Sequence, residues 1–368
     1  MTAPDPRMTY DAWRDEPVAL DDQGRPVLCR HADVVAAALD PDTYSSSVSR
    51  FLQVPNGLNG DAHREARRLL DPFFARDRMV ALEPVVQQIA SDLVAELPTD
   101  RPIDAVTELG SVFAVRAQSA WLGWPAELER ELLDWIEENH QATRSGDLSR
   151  TADVAARFNA IIRGLLDVRR SEDAPDDVTT ELVRLRDRDG DPLGDEVLIS
   201  VLRNWTGGDL GSLALCTGVI ASYLASRPGL QQELSAGDDD TLVAAIDEVL
   251  RIDDPFVSNR RKTTRKVELG GQLVAAGMPV VLNWTAANRD PAVFAEPDRF
   301  DPDTNAAANL VYGIGPHVCP GRPLATLELR VLTRALLQQV RWEPAVEPPE
   351  REQPPLGGFR RVPIVLHR

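Results

Sequence analysis

A loop that holds a single cysteine and leads into a helix constrains this chain more than any other feature. Residues 312–325 read YGIGPHVCPGRPLA, and from Leu324 onward the apolar residues recur at helical spacing. Glycines let a backbone approach a large flat group, and Pro320 and Pro323 suit a first helical turn. Free backbone N–H groups at a helix start predict a lowered pKa for the Cys319 thiol and a metal-ligand role. The alternative is a lone buried cysteine beside a glycine-rich turn.

The run resembles the haem-binding loop of the cytochrome P450 superfamily, whose pattern is Phe-Gly-x-Gly-x-His-x-Cys-x-Gly-x-x-Leu-Ala. Its one departure is a tyrosine in the place of the phenylalanine. The resemblance implies one mainly α domain over residues 1–368 with a small β-rich part, built as a triangular helical prism around a long central helix. It also implies haem b (iron protoporphyrin IX) with Cys319 as the iron ligand. The loop residues that match haem contacts are Tyr312, Gly313, His317, Gly321 and Ala325.

A second motif predicts a buried ion pair. Glu248 and Arg251 are three residues apart in a run with apolar flanks, so they share one helix face. A buried pair needs further hydrogen bonds to offset its desolvation. In the family these come from a downstream arginine, and Arg299 in EPDRF matches that position. The resemblance therefore implies a structural role for the three residues, holding the segment that positions the cysteine.

A group of basic residues matches the ligands of the two haem propionates. His63 and Arg67 are four residues apart in GDAHREARR, so they point the same way on a helix. Arg261 and His317 resemble two further propionate ligands. Cationic and hydrogen-bonding side chains are the right chemistry for carboxylates. A solvated basic helix face is the alternative.

The longest predicted helix covers residues 195–226 and is interrupted by two adjacent glycines in NWTGGDLGS. A glycine destabilises a helix interior by about 1 kcal/mol relative to alanine, so a widened turn over a ligand or close helix packing is expected at Gly208. The family has a glycine, an acid and a threonine here, which bind dioxygen and relay protons. Without gaps, Asp209 matches the acid, but Leu210 replaces the threonine. Thr206 is the expected substitute, with Ser212 a poorer candidate.

Composition limits the partners and the compartment. The net charge of −18 and the pI of about 4.8 disfavour nucleic acid, because phosphate binding needs a basic surface. Three widely separated cysteines form no zinc or iron–sulfur spacing and are typical of a reducing compartment. No apolar run is long enough to predict a membrane span. We therefore expect a cytoplasmic protein that does not associate with membranes.

Other segments give a coarse secondary structure. The sequence predicts a hairpin over residues 17–30, a loop over 43–60, a helix over 61–98, short strands from residue 267 and a C-terminal strand in VPIVLH. By resemblance, four mostly apolar segments line the substrate pocket, which favours a neutral hydrophobic small molecule. The residues assigned to this pocket are Leu52, Val54, Leu202, Trp205, Leu210, Phe256, Val257 and Phe359.

The resemblance implies a monooxygenase that inserts one oxygen atom from dioxygen into a small hydrophobic substrate. Electrons would come from NAD(P)H through a reductase and a ferredoxin or flavodoxin, docked on a basic face at Arg64, Arg68 and Arg322. Because Leu210 replaces the threonine, peroxide-driven oxygenation or a rearrangement or coupling is an alternative. A catalytically silent docking module is a third hypothesis.

Overall fold

The computed structural model describes residues 5–368 and shows a mainly helical molecule with several short sheets. The α-helices are α1 (Pro6–Trp13), α2 (His31–Leu39), α3 (Gly60–Leu70), α4 (Arg76–Glu96), α5 (Val112–Leu122), α6 (Glu129–Ser145), α7 (Leu148–Val168), α8 (Val178–Arg184), α9 (Asp195–Thr206), α10 (Asp209–Ala225), α11 (Pro228–Ala236), α12 (Asp239–Ile252), α13 (Trp284–Ala287), α14 (Pro302–Asn305) and α15 (Arg322–Gln339). A π-helical segment, Ala105–Ser111, runs directly into α5.

The strands form four small sheets. They are β1 (Ala19–Leu20), β2 (Pro26–Leu28), β3 (Tyr44–Ser45), β4 (Ile103–Asp104), β5 (Ser258–Thr263), β6 (Val267–Leu269), β7 (Gln272–Val274), β8 (Pro279–Asn283), β9 (Arg341–Pro344), β10 (Glu350–Arg351), β11 (Phe359–Arg361) and β12 (Pro363–His367). The largest sheet has the order β1-β2-β8-β5-β3, with β2 parallel to β8 and the other pairs antiparallel. The order β4-β12-β9 makes a second sheet, and β6-β7 and β10-β11 are hairpins.

Most of the predicted elements are confirmed, and two helix predictions need correction. The N-terminal hairpin, the strands after residue 267 and the C-terminal strand are present, whereas the loop predicted over 43–60 contains the short strand β3. The helix predicted over 61–98 is instead α3 and α4, separated by the 3₁₀ turn Asp71–Phe74, because Pro72 cannot continue the α-helical hydrogen-bond ladder. Strand β5 was not predicted, since SNRRKT is almost wholly polar. Its side chains nevertheless alternate, with Arg261 and Thr263 buried.

The helix pair α9–α10 crosses the middle of the molecule. Gly207 and Gly208 join the two helices with helical backbone angles, φ −60° and −76°, so the predicted single helix is a pair with a loosened turn between them. The pair spans 31 residues, and by length and composition it is apolar enough to cross a membrane. In the structure, however, 67% of its most apolar 18-residue stretch is buried inside the protein. This is the burial expected of a core helix.

Helix α10 packs most closely against the π-helical segment before α5. A Cβ added at Gly110 would lie 2.8 Å from the Ala214 carbonyl oxygen and 2.9 Å from the Thr217 Cβ. Both neighbours belong to α10 and the first is backbone, so they cannot move aside cheaply. Only a glycine at this position permits this approach of the two helices.

Gly110→Ala is therefore expected to lower the free energy of unfolding by about 1–3 kcal/mol, the usual cost of overpacking. The matched control is Gly164→Ala in α7, where nothing lies within 4 Å of the added Cβ. That control should stabilise the protein by about 0.5–1 kcal/mol through helix propensity. Urea unfolding followed by circular dichroism measures both variants. Equal effects of the two substitutions would show that the contact is not tight.

Candidate functional site

The cysteine loop is a folded turn whose glycines adopt left-handed backbone angles. Gly313 and Gly315 have φ of 72° and 79°, and a Cβ at Gly315 would lie 2.9 Å from the Ala38 carbonyl oxygen. The Cys319 N–H donates to the Tyr312 carbonyl oxygen at 2.9 Å, which closes the turn. Helix α15 begins at Arg322, so Pro323 lies in its first turn while Pro320 precedes it. The loop thus fixes Cys319 just ahead of a helix start, as predicted.

The predicted lowering of the thiol pKa is wrong for the protein without a cation. Burial raises the pKa of Cys319 to about 11, and hydrogen bonds from the Gly321 and Arg322 N–H groups oppose this only partly. The negative charge of Asp209 acts in the same direction as burial. Coordination to a metal cation deprotonates a thiol outright. The site therefore favours the thiolate only when a cation faces the sulfur.

The helix pair presents a polar and partly open face to this cysteine. A Cβ built on Gly321 would lie 3.9 Å from Cys319 Sγ and 3.6 Å from Asp209 Oδ2, so the thiol and the carboxylate converge on one glycine. Gly208 is exposed and Ser212 is half-buried, and the Ser212 hydroxyl donates to the Gly208 carbonyl oxygen at 2.7 Å. Spacings of three and four residues place Gly208, Asp209 and Ser212 on one helix face.

The structure corrects the predicted relay on this helix. Thr206 is fully buried and its hydroxyl donates to the Leu202 carbonyl oxygen at 2.6 Å, so it does not reach the open face. Leu210 is also buried in the main core. The alcohol on the same face as Asp209 is Ser212. The sequence prediction ranked Ser212 below Thr206. Both lie three residues from Asp209 and so near its helix face, but Thr206 is buried whereas Ser212 is half-buried.

Two carboxyl groups near the site are poorly solvated. Burial raises the pKa of Asp209 to about 7, so this group exchanges a proton near neutral pH. Glu328 in α15 is buried, and its Oε1 has no hydrogen-bond partner among residues 5–368. Burial, and then the charge of Asp209, raise the pKa of Glu328 well above its usual range. Glu328 was not predicted, since an acid two residues from an arginine in a helix is typical of a solvated face.

Four basic side chains from three parts of the chain meet beside the cysteine loop. The rings of His63 and His317 are 4.2 Å apart between centroids. Arg67 donates to the carbonyl oxygens of Pro316 (3.3 Å) and Val318 (2.9 Å). Burial, together with charge repulsion from His63, Arg261 and Arg67, lowers the pKa of His317 to about 3. The sequence prediction that these groups share one site is therefore matched by the placement of their side chains.

This basic cluster contains too few carboxylates to pair with all of its positively charged side chains. Arg67 also bonds Asp71 at 2.5 Å, but Arg261 is buried and its guanidinium donates only to the Arg260 carbonyl oxygen among the described contacts. Burial lowers the pKa of Arg261 to about 10. A buried guanidinium without a carboxylate is costly unless an anion is supplied from outside. The residues present thus fit a dianionic group such as the paired propionates of haem, next to a thiol that can ligate its iron.

Arg261→Met is expected to weaken haem retention about tenfold or more, since a charge-assisted hydrogen bond contributes about 1.5–3 kcal/mol. The same substitution should stabilise the haem-free protein, because it removes a buried charge that has no acid partner. Haem transfer to apomyoglobin and urea unfolding measure the two effects. Arg260→Met, at an exposed position of the same strand, is the control and should change neither. Unchanged haem transfer would remove Arg261 from the site.

The predicted ion pair is present, but its third partner differs. Arg251 donates to Glu248 at 2.7 and 2.9 Å, and both side chains are fully buried. The side chain of Arg299 is 63% exposed, and only its carbonyl oxygen, 3.4 Å from Arg251 Nη2, takes part. The expected role of the Arg299 guanidinium is therefore wrong. Glu248 instead accepts from the Asp301 N–H (3.0 Å) and the Asn305 amide (2.7 Å).

The predicted pocket residues fall into three groups. Leu52 and Val54 line a cavity of about 590 Å³. Two hydrogen bonds hold their loop against α9: Ser200 Oγ accepts from the Val54 N–H at 2.8 Å and donates to the Leu52 carbonyl oxygen at 3.0 Å. A second group meets over α10, where a Cβ at Gly357 would touch Val257 Cγ2 at 2.8 Å. Phe359 is buried beside that turn, and Phe256 is exposed. The third group is buried in the main core and comprises Leu202, Trp205 and Leu210.

Trp205 belongs to an aromatic cluster beneath the helix pair. Its ring lies 5.2 Å from the rings of Phe73 and Trp121 and 5.4 Å from that of Phe74. A Cβ on Gly321 would also lie 3.8 Å from the Phe74 ring. The cluster therefore supports the floor of the site, and Trp205 does not line the cavity that holds Leu52 and Val54.

The fold, the cysteine in a glycine-rich loop and the basic cluster beside it are the features expected of a haem-thiolate protein, in which Cys319 would ligate the iron. A family model described as Cytochrome P450 matches residues 240–366. The vitamin D(3) 25-hydroxylase of Pseudonocardia autotrophica is 31% identical over 98% of this chain and 94% of its own length. The cyclomarin C epoxidase CymV of Salinispora arenicola is 31% identical over 85% of this chain and 82% of its own.

Solved structures agree with these relatives. CYP108D1 from Novosphingobium aromaticivorans superposes with a TM-score of 0.85 at 26% identity, covering 98% of this chain and 94% of that one. Cytochrome P450 EryK from S. erythraea gives a TM-score of 0.85 at 26% identity, with 98% and 95% covered. The chain belongs to the cytochrome P450 family and is an oxidoreductase of the monooxygenase type, with haem iron as its cofactor.

Proposed function

We propose that this protein is a haem-thiolate monooxygenase that inserts one oxygen atom from dioxygen into a neutral, hydrophobic small molecule. The observation that carries the proposal is the convergence of Cys319 Sγ and the Asp209 carboxylate on Gly321 from opposite elements. A thiolate ligand makes haem iron able to cleave the O–O bond, and this is the chemistry that the cofactor, as haem b, supplies when bound. His63, Arg67, Arg261 and His317 would hold its propionates.

The protein's own residues manage substrate, protons and water. Asp209, with a pKa of about 7, holds or releases a proton at its Oδ2 on the open helix face. Ser212 Oγ lies on the same face and can pass a proton along it. These groups supply the acid and the alcohol that proton delivery requires.

The substrate would enter along α9. The cavity of about 590 Å³ is lined mainly by apolar residues that include Leu52, Val54, Val197 and Val201. Val197, Val201, Gly208 and Ser212 follow one another at intervals of four and seven residues, so they lie along one helix face. The cavity thus leads toward the open part of the helix pair. Its apolar lining supports a hydrophobic substrate.

Electrons would come singly from a ferredoxin or flavodoxin with its NAD(P)H-dependent reductase. The basic face expected for docking is largely neutralised within the chain. Arg64 pairs with Asp61, Arg68 with Glu65 at 2.7 Å, and Arg322 with Asp247 at 3.4 Å. A partner must therefore compete with these acids, so electrostatic docking at this face is expected to be weak. We also propose a cytoplasmic location, where such carriers operate.

Peroxide-driven oxygenation is the second candidate function. The reason for considering it was that Leu210 takes the place of the threonine that is usual in the family. With Leu210 buried and Ser212 on the open face, the helix does not lack an alcohol, so the dioxygen route is favoured. The test supplies vitamin D3 and a steroid, because the vitamin D(3) 25-hydroxylase described above and a steroid C26-monooxygenase of Mycobacterium tuberculosis are both relatives of this chain. One arm contains surrogate ferredoxin, reductase, NADPH and dioxygen, and the other contains hydrogen peroxide alone. Product in the first arm supports the proposal, and product in the second alone refutes it.

A further inference from the structure

Strand β5 and the turn that follows it are strongly basic within an acidic chain. Residues 260–266 read RRKTTRK, a run without any acid, whereas the whole chain has a net charge of −18. Lys262 and Lys266 are also the only lysines in the sequence. The fold itself does not require this charge, because the solvent face of an antiparallel strand needs only polar side chains.

Four of the five cations in this run form one exposed surface. Side chains on a strand alternate between its two faces, so Arg260 and Lys262 are exposed while Arg261 between them is buried. Arg265 and Lys266 are exposed in the turn before β6. The four exposed residues are called the β5 basic surface below.

The β5 basic surface is poorly neutralised by acids of the chain itself. Among residues 5–368, only one of its cations, Arg265, has a carboxylate within 4.0 Å, that of Asp40 at 3.6 Å. Asp42 approaches the turn through its carbonyl oxygen, which accepts from the Thr264 hydroxyl, and Glu268 follows in β6. Neither forms an ion pair with the surface. By contrast, each of the three arginines expected at the cysteine loop has an acid partner.

The buried residue of β5 links this surface to the candidate haem site. Arg261 belongs to the basic cluster beside the cysteine loop and is one of the charges that lower the pKa of His317. Its guanidinium donates to the Arg260 carbonyl oxygen at 3.0 Å. A hydrogen bond therefore joins the proposed propionate ligand to the backbone of the exposed surface. Electron transfer through protein slows steeply with distance, and only one strand lies between the two.

We propose that the β5 basic surface docks an acidic one-electron carrier of the ferredoxin class. Because the rest of the chain is more acidic still, such a carrier is repelled elsewhere and steered to this surface. Lysine suits a brief encounter, since its hydrated ammonium on a flexible stem imposes no fixed geometry. In the transfer step the carrier is oxidised by one electron, and that electron reduces the haem iron. The inference rests on the proposed function, which requires such a carrier.

The first test uses the two lysines as chemical markers. A water-soluble carbodiimide condenses a carboxylate of plant-type [2Fe–2S] ferredoxin with a lysine amine, with loss of water, where the two proteins touch. The wild-type holoprotein should give an adduct whose cross-linked peptides contain Lys262 or Lys266. The double variant Lys262→Arg, Lys266→Arg keeps both charges and should give no adduct, while ferredoxin reduces it at the wild-type rate. No wild-type adduct, or an adduct that persists in this variant, would overturn the inference.

The second test reverses the charge. The double variant Lys262→Glu, Lys266→Glu should be reduced by limiting ferredoxin at least about tenfold more slowly, within the range of electrostatic steering. Formation of the ferrous–carbon monoxide band measures this rate, and haem content and reduction by dithionite should equal wild type. The matched control makes the same change of charge at Arg163 and Arg184, two exposed arginines of α7 and α8, and should be reduced normally.

Other results would assign the surface differently. Equal slowing in the matched control would show that only net charge matters, and slowing in Arg64→Glu, Arg68→Glu instead would place docking at the cysteine loop. A cross-linked homodimer without ferredoxin would make a second copy the partner. Binding to phosphatidylserine vesicles that is lost in the lysine-to-glutamate variant would make it an anionic membrane. Wild-type protein that takes electrons at this surface but forms no product from the substrates above would refute the proposed function and leave the docking surface in place.

Discussion

Replacing Glu248 by alanine is expected to lower the free energy of unfolding by about 3–5 kcal/mol, the usual cost of breaking a buried ion pair. The substitution leaves the Arg251 guanidinium, which is 0% exposed, without a carboxylate. It also removes the acceptor of the Asp301 N–H and the Asn305 amide. Because these groups belong to the segment between β8 and the cysteine loop, haem uptake should fall together with stability.

Urea unfolding of the haem-free protein, followed by circular dichroism, measures this effect. The matched control is Glu296→Ala, since Glu296 faces the exposed Arg299 at 3.9 Å and such surface pairs contribute little. Glu248→Gln keeps the side-chain volume and should fall between wild type and Glu248→Ala. A loss of less than about 1 kcal/mol in Glu248→Ala would mean that the remaining carbonyl acceptors suffice for Arg251.

Cys319→Ser is expected to abolish the carbon monoxide difference band that gives the family its name. It should also lower dioxygen-driven product by more than about 100-fold, beyond the loss seen when only an outer partner of a metal ligand is removed. Haem should still bind, more weakly, because the basic cluster at the propionates is intact. Cys29→Ser is the control, since Cys29 is buried in a separate small cluster with its thiol near the Val27 carbonyl oxygen.

Absorbance spectra of the ferrous–carbon monoxide form and haem content measured on the same samples separate ligation from binding. A retained band in Cys319→Ser would assign the iron ligand to another residue. Complete loss of haem would show that the sulfur, and not the basic cluster, provides most of the affinity.

The parts of the fold and of the site that could be predicted from the sequence are those encoded by a short, local residue pattern. The cysteine loop, the Glu248–Arg251 pair and the His63–Arg67 spacing are local patterns, and the structure confirms the loop, the pair and the grouping of the basic residues. The predicted thiol pKa was wrong because desolvation, which depends on the whole fold, outweighs the N–H groups of one helix start. The role of Arg299 was wrong because a motif does not show which way a side chain points.

The helix pair shows a different limit. Its two glycines predict a departure from regular helix geometry. Which of the adjacent side chains are buried and which are exposed depends, however, on the elements that pack against the pair. Thr206 and Leu210 are buried in the core, whereas Ser212 is half-buried and its hydroxyl donates to the Gly208 carbonyl oxygen. His140 and Trp135 were not predicted to meet the glycines, because α6 and α10 are far apart in sequence. Contacts of this kind follow from the assembled fold alone.

Two close contacts between α6 and the helix pair, Trp135 at Gly207 and His140 at Gly211, limit how these helices move. Helix α6 cannot slide along the pair unless both rings leave the space beside the two glycines. Each withdrawal would leave a void, which is unfavourable in a close-packed core. Sideways shear of α6 over the helix pair is therefore opposed. Trp135 lies near the middle of α6 and His140 lies closer to its C-terminal end, which Gly146 terminates with a left-handed backbone conformation. Helix α6 therefore keeps its position on the pair unless both rings withdraw.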